Sequence, residues 1–255
     1  MKRESHPLCT FLYALISLSI FLEFCTENDT LNSTQSLIDG DTLVSSGQSF
    51  ELGFFSPNGS TSRYVGTWYR NYPDIVVLVA NRENSVTESR GVLTIANNGS
   101  LVLLDQKQRI IWSSGSTRAT ENPVVQLLES GNLVLREKSD VNPESCMWQG
   151  FDAPYNPQRP DMKLGWNFST GMEQYLTSWR TASDPSPGDF TLKFDIVGLP
   201  QVVLQKGSEK KFHSRPWNGL RFGGLTDESQ RFFKFLLYIM QMNCTFLMSL
   251  VKTRP

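Results

Sequence analysis

Gly91–Leu104 reads G-V-L-T-I-A-N-N-G-S-L-V-L-L, and Pro123–Arg136, 32 positions further on, reads P-V-V-Q-L-L-E-S-G-N-L-V-L-R. Laid over each other, Leu93, Ile95, Gly99, Leu101 and Leu103 fall on Val125, Leu127, Gly131, Leu133 and Leu135. Apolar side chains recur at every second position on either side of the glycine, which is the period of paired strands and not of a helix. The glycine stands at the reversal, where positive φ is required. A hairpin of this length cannot bury its apolar face alone, so the repetition implies that the hairpins share one core. Gly47–Phe55 (G-Q-S-F-E-L-G-F-F) is a looser third copy. Together the copies predict three small sheets in a three-fold arrangement.

Outward from these repeats, the same alternation marks Ser49–Phe55, Ile110–Trp112, Leu176–Arg180, Phe190–Asp195, Val202–Gln205 and Gly219–Phe222. The class is all-β. Between the two groups of strands, Pro154, Pro157 and Pro160 follow Trp148–Asp152. Proline cannot continue a central strand, so this stretch reads as a boundary near residue 150. The end of the chain has another texture: Phe232, Phe233, Phe235, Leu236, Leu237, Tyr238, Ile239 and Met240 crowd together without glycine, proline or alternation. The expected organisation is residues 1–26 as a signal peptide, 27–150 and 151–225 as two β modules, and 226–255 as an apolar tail packing poorly on the rest. A short membrane helix over Phe235–Val251, followed by Lys252 and Arg254, is the competing reading of the tail.

The signal peptide rests on a weakly basic start and the apolar run Phe11–Leu22, too short to span a bilayer, with cleavage near Cys25 or Thr26. Behind such a leader, six glycosylation sequons begin at Asn28, Asn32, Asn58, Asn98, Asn167 and Asn243. Most are flanked by Gly, Ser, Thr or Asp, and the chain is expected to be a secreted glycoprotein. Only Cys146 and Cys244 remain in the mature chain, too few to frame the fold, and spacing leaves their pairing open.

The formal net charge is −1, and no run of lysine and arginine occurs, which argues against nucleic acid and against a polybasic membrane anchor. His213 is the only histidine beyond the leader, which removes His-based triads and zinc-binding H-E-x-x-H. There is no phosphate-cradling glycine loop, no G-x-S-x-G elbow and no kinase catalytic string. Asp152 and Asp161 read as solvated acids of a proline-rich connector rather than a catalytic pair. No catalysis, cofactor or metal site is expected. The tryptophans Trp68, Trp112, Trp148, Trp166, Trp179 and Trp217 read as core packing rather than stacking platforms.

Nine strings occur in order: Gly47–Phe55, Tyr64–Tyr69 (Y-V-G-T-W-Y), Val79–Asn84 (V-A-N-R-E-N), Gly131–Leu135, Met147–Gln149, Pro160–Gly165, Leu176–Trp179, Asp184–Phe190 (D-P-S-P-G-D-F) and Arg215–Gly219 (R-P-W-N-G). From about residue 27 to about 225 the chain resembles the extracellular S-domain of plant S-locus glycoproteins and G-type lectin receptor kinases. The resemblance implies tandem bulb-type lectin β-prism modules. It also implies recognition of an extracellular protein or peptide ligand, in self-incompatibility or pollen recognition, without a kinase domain. A homodimer is compatible with it. Glycan binding is the alternative, as a mannose-binding lectin, and a non-functional truncated product is a third.

Sugar-binding bulb lectins carry Q-x-D-x-N-x-V-x-Y, because a mannose ring needs donors and acceptors fixed at its vicinal hydroxyls. Here those places hold Leu128, Ser130, Asn132, Val134 and Arg136 in one repeat, and Ala96, Asn98, Ser100, Val102 and Leu104 in the other. Ser130, Asn132 and Val134 are thus a degenerate carbohydrate site in which Asn132 alone keeps the required type. One hydrogen bond nets only about 0.5–1.5 kcal/mol, so strong mannose binding is not expected. The expected ligand surface is instead the polar, strand-flanked stretch Gln201–His213, with Gln201, Lys206, Lys210 and His213, joined by Trp217 from the Arg-Pro-Trp-Asn-Gly turn.

Overall fold

In the computed structural model, the structure describes residues 29–87, 90–116, 120–140, 145–152, 162–167, 171–219, 222–224, 233–240 and 243–250. Three short strands open the chain: β1 (Thr30–Asn32), β2 (Ser36–Ile38) and β3 (Thr42–Val44). Then come β4 (Phe50–Phe55), β5 (Tyr64–Tyr69), β6 (Tyr72–Val79), β7 (Val92–Ile95), β8 (Leu101–Leu104), β9 (Ile110–Ser113), β10 (Pro123–Leu127), β11 (Leu133–Glu137) and β12 (Trp148–Gln149). They form three antiparallel sheets of four strands, ordered β3-β4-β5-β6, β2-β7-β8-β9 and β1-β10-β11-β12. Each sheet is a local meander closed at one side by a strand from the N-terminal run, so residues 30–44 stitch all three together.

The repeat reading accounts for the core. Leu93 faces Leu103 and Ile95 faces Leu101 in one sheet, as Val125 faces Leu135 and Leu127 faces Leu133 in another. All eight are buried, and with Phe50, Leu52, Phe54 and Val65 of the first sheet they form one apolar cluster. Leu31, Leu37 and Leu43, one from each opening strand, complete it. They recur every six residues, but strands of three residues are too short to show alternation. Gly131 takes φ +78°, and a Cβ there would meet the Phe50 ring at 2.7 Å. The turn therefore needs glycine for both backbone conformation and room.

β5 departs from the alternation, since five consecutive residues, Tyr64–Trp68, are buried. The sheet is covered on both faces, which is the condition for a continuous rather than alternating pattern. Its inner face meets the core, while Phe55 stacks on Trp179 of the following region with ring centroids 6.5 Å apart.

That following region contains β13 (Met162–Asn167), β14 (Met172–Gln174), β15 (Leu176–Thr181), β16 (Asp184–Asp195), β17 (Gln201–Lys206), β18 (Glu209–His213), β19 (Phe233–Met240) and β20 (Asn243–Leu250). The described residues form two further four-stranded sheets, β15-β16-β17-β18 and β14-β13-β20-β19. Leu164, Leu176, Phe194, Val202 and Phe222 make a second buried cluster.

The tail differs from expectation. β19 and β20 pair along eight positions, and β20 pairs with β13 from Met162↔Met248 to Asn167↔Asn243. Residues 233–240 and 243–250 are thus strands of a sheet, neither a loose tail nor a membrane helix. An apolar run without alternation does not by itself separate a helix or a loose tail from a strand within a sheet, which is why the sequence pattern misled. Among the described residues, no helix is long and apolar enough to cross a membrane.

Candidate functional site

The degenerate sugar motif lies at the β10–β11 reversal, and its polar groups are committed to the fold. Asn132, buried, donates from Nδ2 to Gln149 Oε1 at 3.0 Å and accepts at Oδ1 from the Phe151 backbone N–H at 3.1 Å. The amide thus ties the hairpin to β12 and the 3-10 turn Gly150–Asp152. Ser130 Oγ accepts from the Asn132 backbone N–H at 3.4 Å, and Val134 is buried. Arg136, where the sugar-binding pattern has tyrosine, donates from Nε and Nη2 to Gln126 Oε1 and from Nη1 to the Asp140 carbonyl at 2.7 Å. In the earlier repeat, Ser100 is buried and donates to the Ser116 carbonyl at 2.8 Å. These bonds hold the hairpins in place and take up part of the donor and acceptor capacity that a saccharide would need.

The stretch Gln201–His213 forms the hairpin β17–β18. Lys206 faces Glu209 and His213 faces Val203, with a register shift at Leu204/Gln205. β18 lies at the end of its sheet, and all five of its residues are exposed. His213 therefore ends a strand rather than standing in a loop; its Nδ1 is 3.1 Å from the Ser214 carbonyl oxygen. Lys210 donates to Asp195 Oδ2 at 3.0 Å, Lys211 pairs with Glu209 at 2.6 Å, and Lys206 lies 5.6 Å from the centre of the Phe190 ring. Asp195 is held below the usual carboxylate range, first by the backbone N–H of Val197 and then by Lys210. The charges of the edge are largely compensated locally, by Asp195 and within the hairpin. Such charges, with the bulge, keep an exposed strand from pairing indiscriminately.

Trp217 lies against the β16–β17 turn, its backbone N–H donating to the Pro200 carbonyl at 3.0 Å. It is half-buried, packs edge-on against Phe222 at 4.9 Å and belongs to the second core. Sequence reasoning missed Val197 and Leu199, which stand 85% and 64% exposed in the β16–β17 turn beside the edge. A Gly-Leu-Pro turn identifies a reversal but not which way its apolar side chains point.

Sequence reasoning also missed Arg82, which stands in the sequence only as one letter of the V-A-N-R-E-N string. It is buried, and its guanidinium donates to the carbonyls of Pro185, Thr177 and Ser178, all in the second region. Asn81 sets the turn that presents it, accepting from Val65 N–H at 2.8 Å and donating to the Asn84 carbonyl at 2.9 Å. Charge-assisted bonds to three carbonyls, with the Phe55–Trp179 stack beside them, join the two regions.

The sequons divide by setting. Asn32, Asn58 and Asn98 are exposed, Asn98 at the β7–β8 turn and Asn58 in the loop after β4. Asn167 and Asn243 are register partners in β13 and β20. Asn28 lies outside the described residues. Cys146 is half-buried.

Known proteins match this chain in three ways. A family model described as D-mannose binding lectin matches residues 75–180, from within β6 into β15. An S-locus-specific glycoprotein of Brassica oleracea is 42% identical over 226 residues, covering 87% of this chain and 51% of that protein. A receptor-like serine/threonine-protein kinase of Arabidopsis thaliana is 37% identical over 223 residues, covering 86% of this chain and 26% of the kinase. The chain thus spans about half the length of the glycoprotein and about a quarter of the receptor kinase. Among solved structures, a monomeric monocot mannose-binding lectin from Gastrodia elata overlaps 48% of this chain and 95% of its own, at 23% identity and a TM-score of 0.37. The chain is a homologue of the S-locus glycoproteins and G-type lectin S-receptor-like kinases, at about 40% identity over most of its length, and carries a D-mannose-binding-lectin domain.

Proposed function

We propose that this chain is a secreted recognition glycoprotein that takes an extracellular protein or peptide ligand along β18 and the neighbouring β16–β17 turn. The observation that carries this reading is the edge itself: five exposed residues at the end of their sheet among the described residues, beside Val197 and Leu199 at 85% and 64% exposure. An extended ligand segment would gain backbone hydrogen bonds from the edge and select its partner through apolar contacts at the turn and at Phe212. The three-sheet module, taken as residues 27–150, supports this surface, and Arg82 fixes its bearing on the second module. Glycans at Asn32, Asn58 and Asn98 would leave β18 uncovered, since all three lie in the first module.

The test is selection of binding peptides from a displayed library against the secreted chain, followed by hydrogen exchange on the complex. Bound peptide should slow exchange of the β18 amides. Val197→Asp and Phe212→Asp, at exposed positions, should abolish binding while leaving the melting temperature unchanged. Peptides that bind equally well to both variants, or protection confined to the Asn132 hairpin, would overturn the reading in favour of a lectin-type site.

A further inference from the structure

Five of the six tryptophans hold a ring partner: Trp68 and Trp179 meet Phe55, Trp112 meets Trp148, and Trp217 meets Phe222. Trp166 has none among the described residues, and it stands outside the second buried cluster. It is half-buried and, with its cross-strand partner Glu173, lines a cavity of about 610 Å³. The far wall comes from the other sheet, where β16 overruns β15: Leu192 is the last residue paired with β15, and Lys193, Phe194 and Asp195 pair with β17 alone. Phe194, Ile196 and Val197 give that wall its apolar atoms, and Lys193, Gln205 and Lys210 add polar ones. Lys210 is spent on Asp195 at 3.0 Å. Glu173, Lys193 and Gln205 make no side-chain hydrogen bond or ion pair among the described residues; Lys193 acts on Asp195 only through its charge. Apolar walls with a few uncommitted polar groups are the make-up of a binding pocket.

We infer that this cavity receives a tyrosine side chain of the peptide ligand, an inference that rests on β18 being the peptide-binding edge. Lys210 of β18 and Val197 of the neighbouring turn line the cavity, so a chain on the edge has the cavity beside it. The volume lies within the roughly 300–1,000 Å³ of ligand pockets, which is room for one large side chain with its flanking backbone. Aromatic residues bring much apolar area with few rotatable bonds, which is why they anchor recognition surfaces. The polar groups choose among them. Phenylalanine would displace water and leave Glu173 and Lys193 without partners. The indole N–H of tryptophan only donates, so Lys193 would stay unanswered. Tyrosine can donate its hydroxyl proton to the Glu173 carboxylate and accept from the Lys193 ammonium. A charged side chain of either sign would gain one of these two groups as a partner and meet repulsion from the other.

Single amino-acid amides separate the cavity from the edge. N-acetyl-L-tyrosinamide, N-acetyl-L-phenylalaninamide or N-acetyl-L-leucinamide is added to the secreted chain, and the indole N–H resonance of Trp166, assigned by its loss in Trp166→Phe, is followed. The tyrosine probe should shift it at a concentration at least about threefold lower than the phenylalanine probe, from the hydrogen bonds of its hydroxyl, and the leucine probe should act least. Lys193→Met with Glu173→Leu should bring the tyrosine and phenylalanine probes to within about twofold of each other. Lys193→Met alone, which keeps the aliphatic stem, should narrow the gap in the same direction and serves where the pair disturbs folding. In peptides that protect the β18 amides, tyrosine replaced by phenylalanine should weaken binding by a similar factor. No shift of Trp166 with the tyrosine probe, or a tyrosine preference that survives the substitutions, would overturn the assignment. Peptides that protect β18 but bind equally well with phenylalanine or leucine would overturn it while leaving the edge standing. A tyrosine probe that shifts Trp166 when no peptide protects β18 would instead sink the edge, and with it the ligand assigned to the cavity.

Discussion

The two regions spend their apolar residues differently. Among the described residues, the three-sheet module gathers eighteen buried apolar side chains into one cluster, whereas the second region gathers five. Exposed apolar residues are equal in number but differ in placement. Four large apolar residues of the first module stand exposed at scattered positions from Ile38 to Ile110, while Phe190, Val197, Leu199 and Phe212 concentrate around the β16–β17–β18 strands of the second. One region uses its apolar residues to hold a shape, and the other leaves several where a partner can reach them. The sharpest way to break this contrast is to break the first core. Leu101→Asp places a carboxylate at a fully buried position facing Ile95. An unpaired buried charge costs several kcal/mol, a large share of a domain's stability. Limited proteolysis should show the first module digested while a fragment of the second persists. Simultaneous loss of both would mean that the boundary near residue 150 does not separate two folding units.

Arg82 is the next test, because it asks how firmly the regions are joined. Arg82→Ala leaves three carbonyls without their charged donor, and bonds of that kind contribute about 1.5–3 kcal/mol each at most, with less than full additivity. The expected result is faster exchange of the Ser178 and Trp179 amides and a red-shifted Trp179 emission. Arg82→Lys should not rescue it, since one ammonium cannot reproduce a planar fork. Unchanged exchange in both variants would mean that the Phe55–Trp179 stack alone holds the regions together.

How much of this is legible in the sequence follows from the length of each element. Hairpins with four or five residues per strand and a glycine turn, such as Val92–Leu104, show their period and their inward face together. Trimers such as Thr30–Asn32 do not, and neither do strands covered on both faces, such as Tyr64–Tyr69. The polar site is harder for another reason. Asn132 has the residue type that a sugar site needs, but type does not tell whether an amide is spent on Gln149 and Phe151. Arg82 is invisible because its partners are backbone carbonyls about a hundred residues away, which leave no mark on the sequence.

The tail gives a test of intermediate size. Its apolar texture alone suggests that cutting after Gly224 leaves stability unchanged, but β20 pairs with β13 along six positions. Removing residues 225–255 strips that strand of a neighbour and should lower the melting temperature by more than about 5 °C, given shifts of about 2–4 °C per kcal/mol in a domain of this size. A truncated chain that melts with the parent would show that the pairing adds nothing to the fold. It would then place the tail outside both regions.

The smallest expected effect lies at the β18 edge, and its value is in its direction. Asp195 is held below the usual carboxylate range by the Val197 N–H and by Lys210. Its lowered folded value means that the folded chain binds the proton less readily than the unfolded chain does. The contribution to stability is therefore complete above the ordinary carboxylate range and is lost as pH falls through the lowered value. Lys210 is largely exposed, so solvent screens the pair and its worth is at most about 1 kcal/mol. On acidification the β17–β18 hairpin should loosen at its Lys210 end while the first core stays intact, because its eighteen clustered side chains are all apolar. Amide exchange at Val197 and Lys210, followed from neutral to acid pH, should rise in that window, and Asp195→Asn should flatten the rise. A rise that persists in Asp195→Asn would move the cause to another acid. The Val125 amide, at a fully buried position of the first core, supplies the internal reference. If it opens in step with Val197, acid is unfolding the scaffold and not the edge.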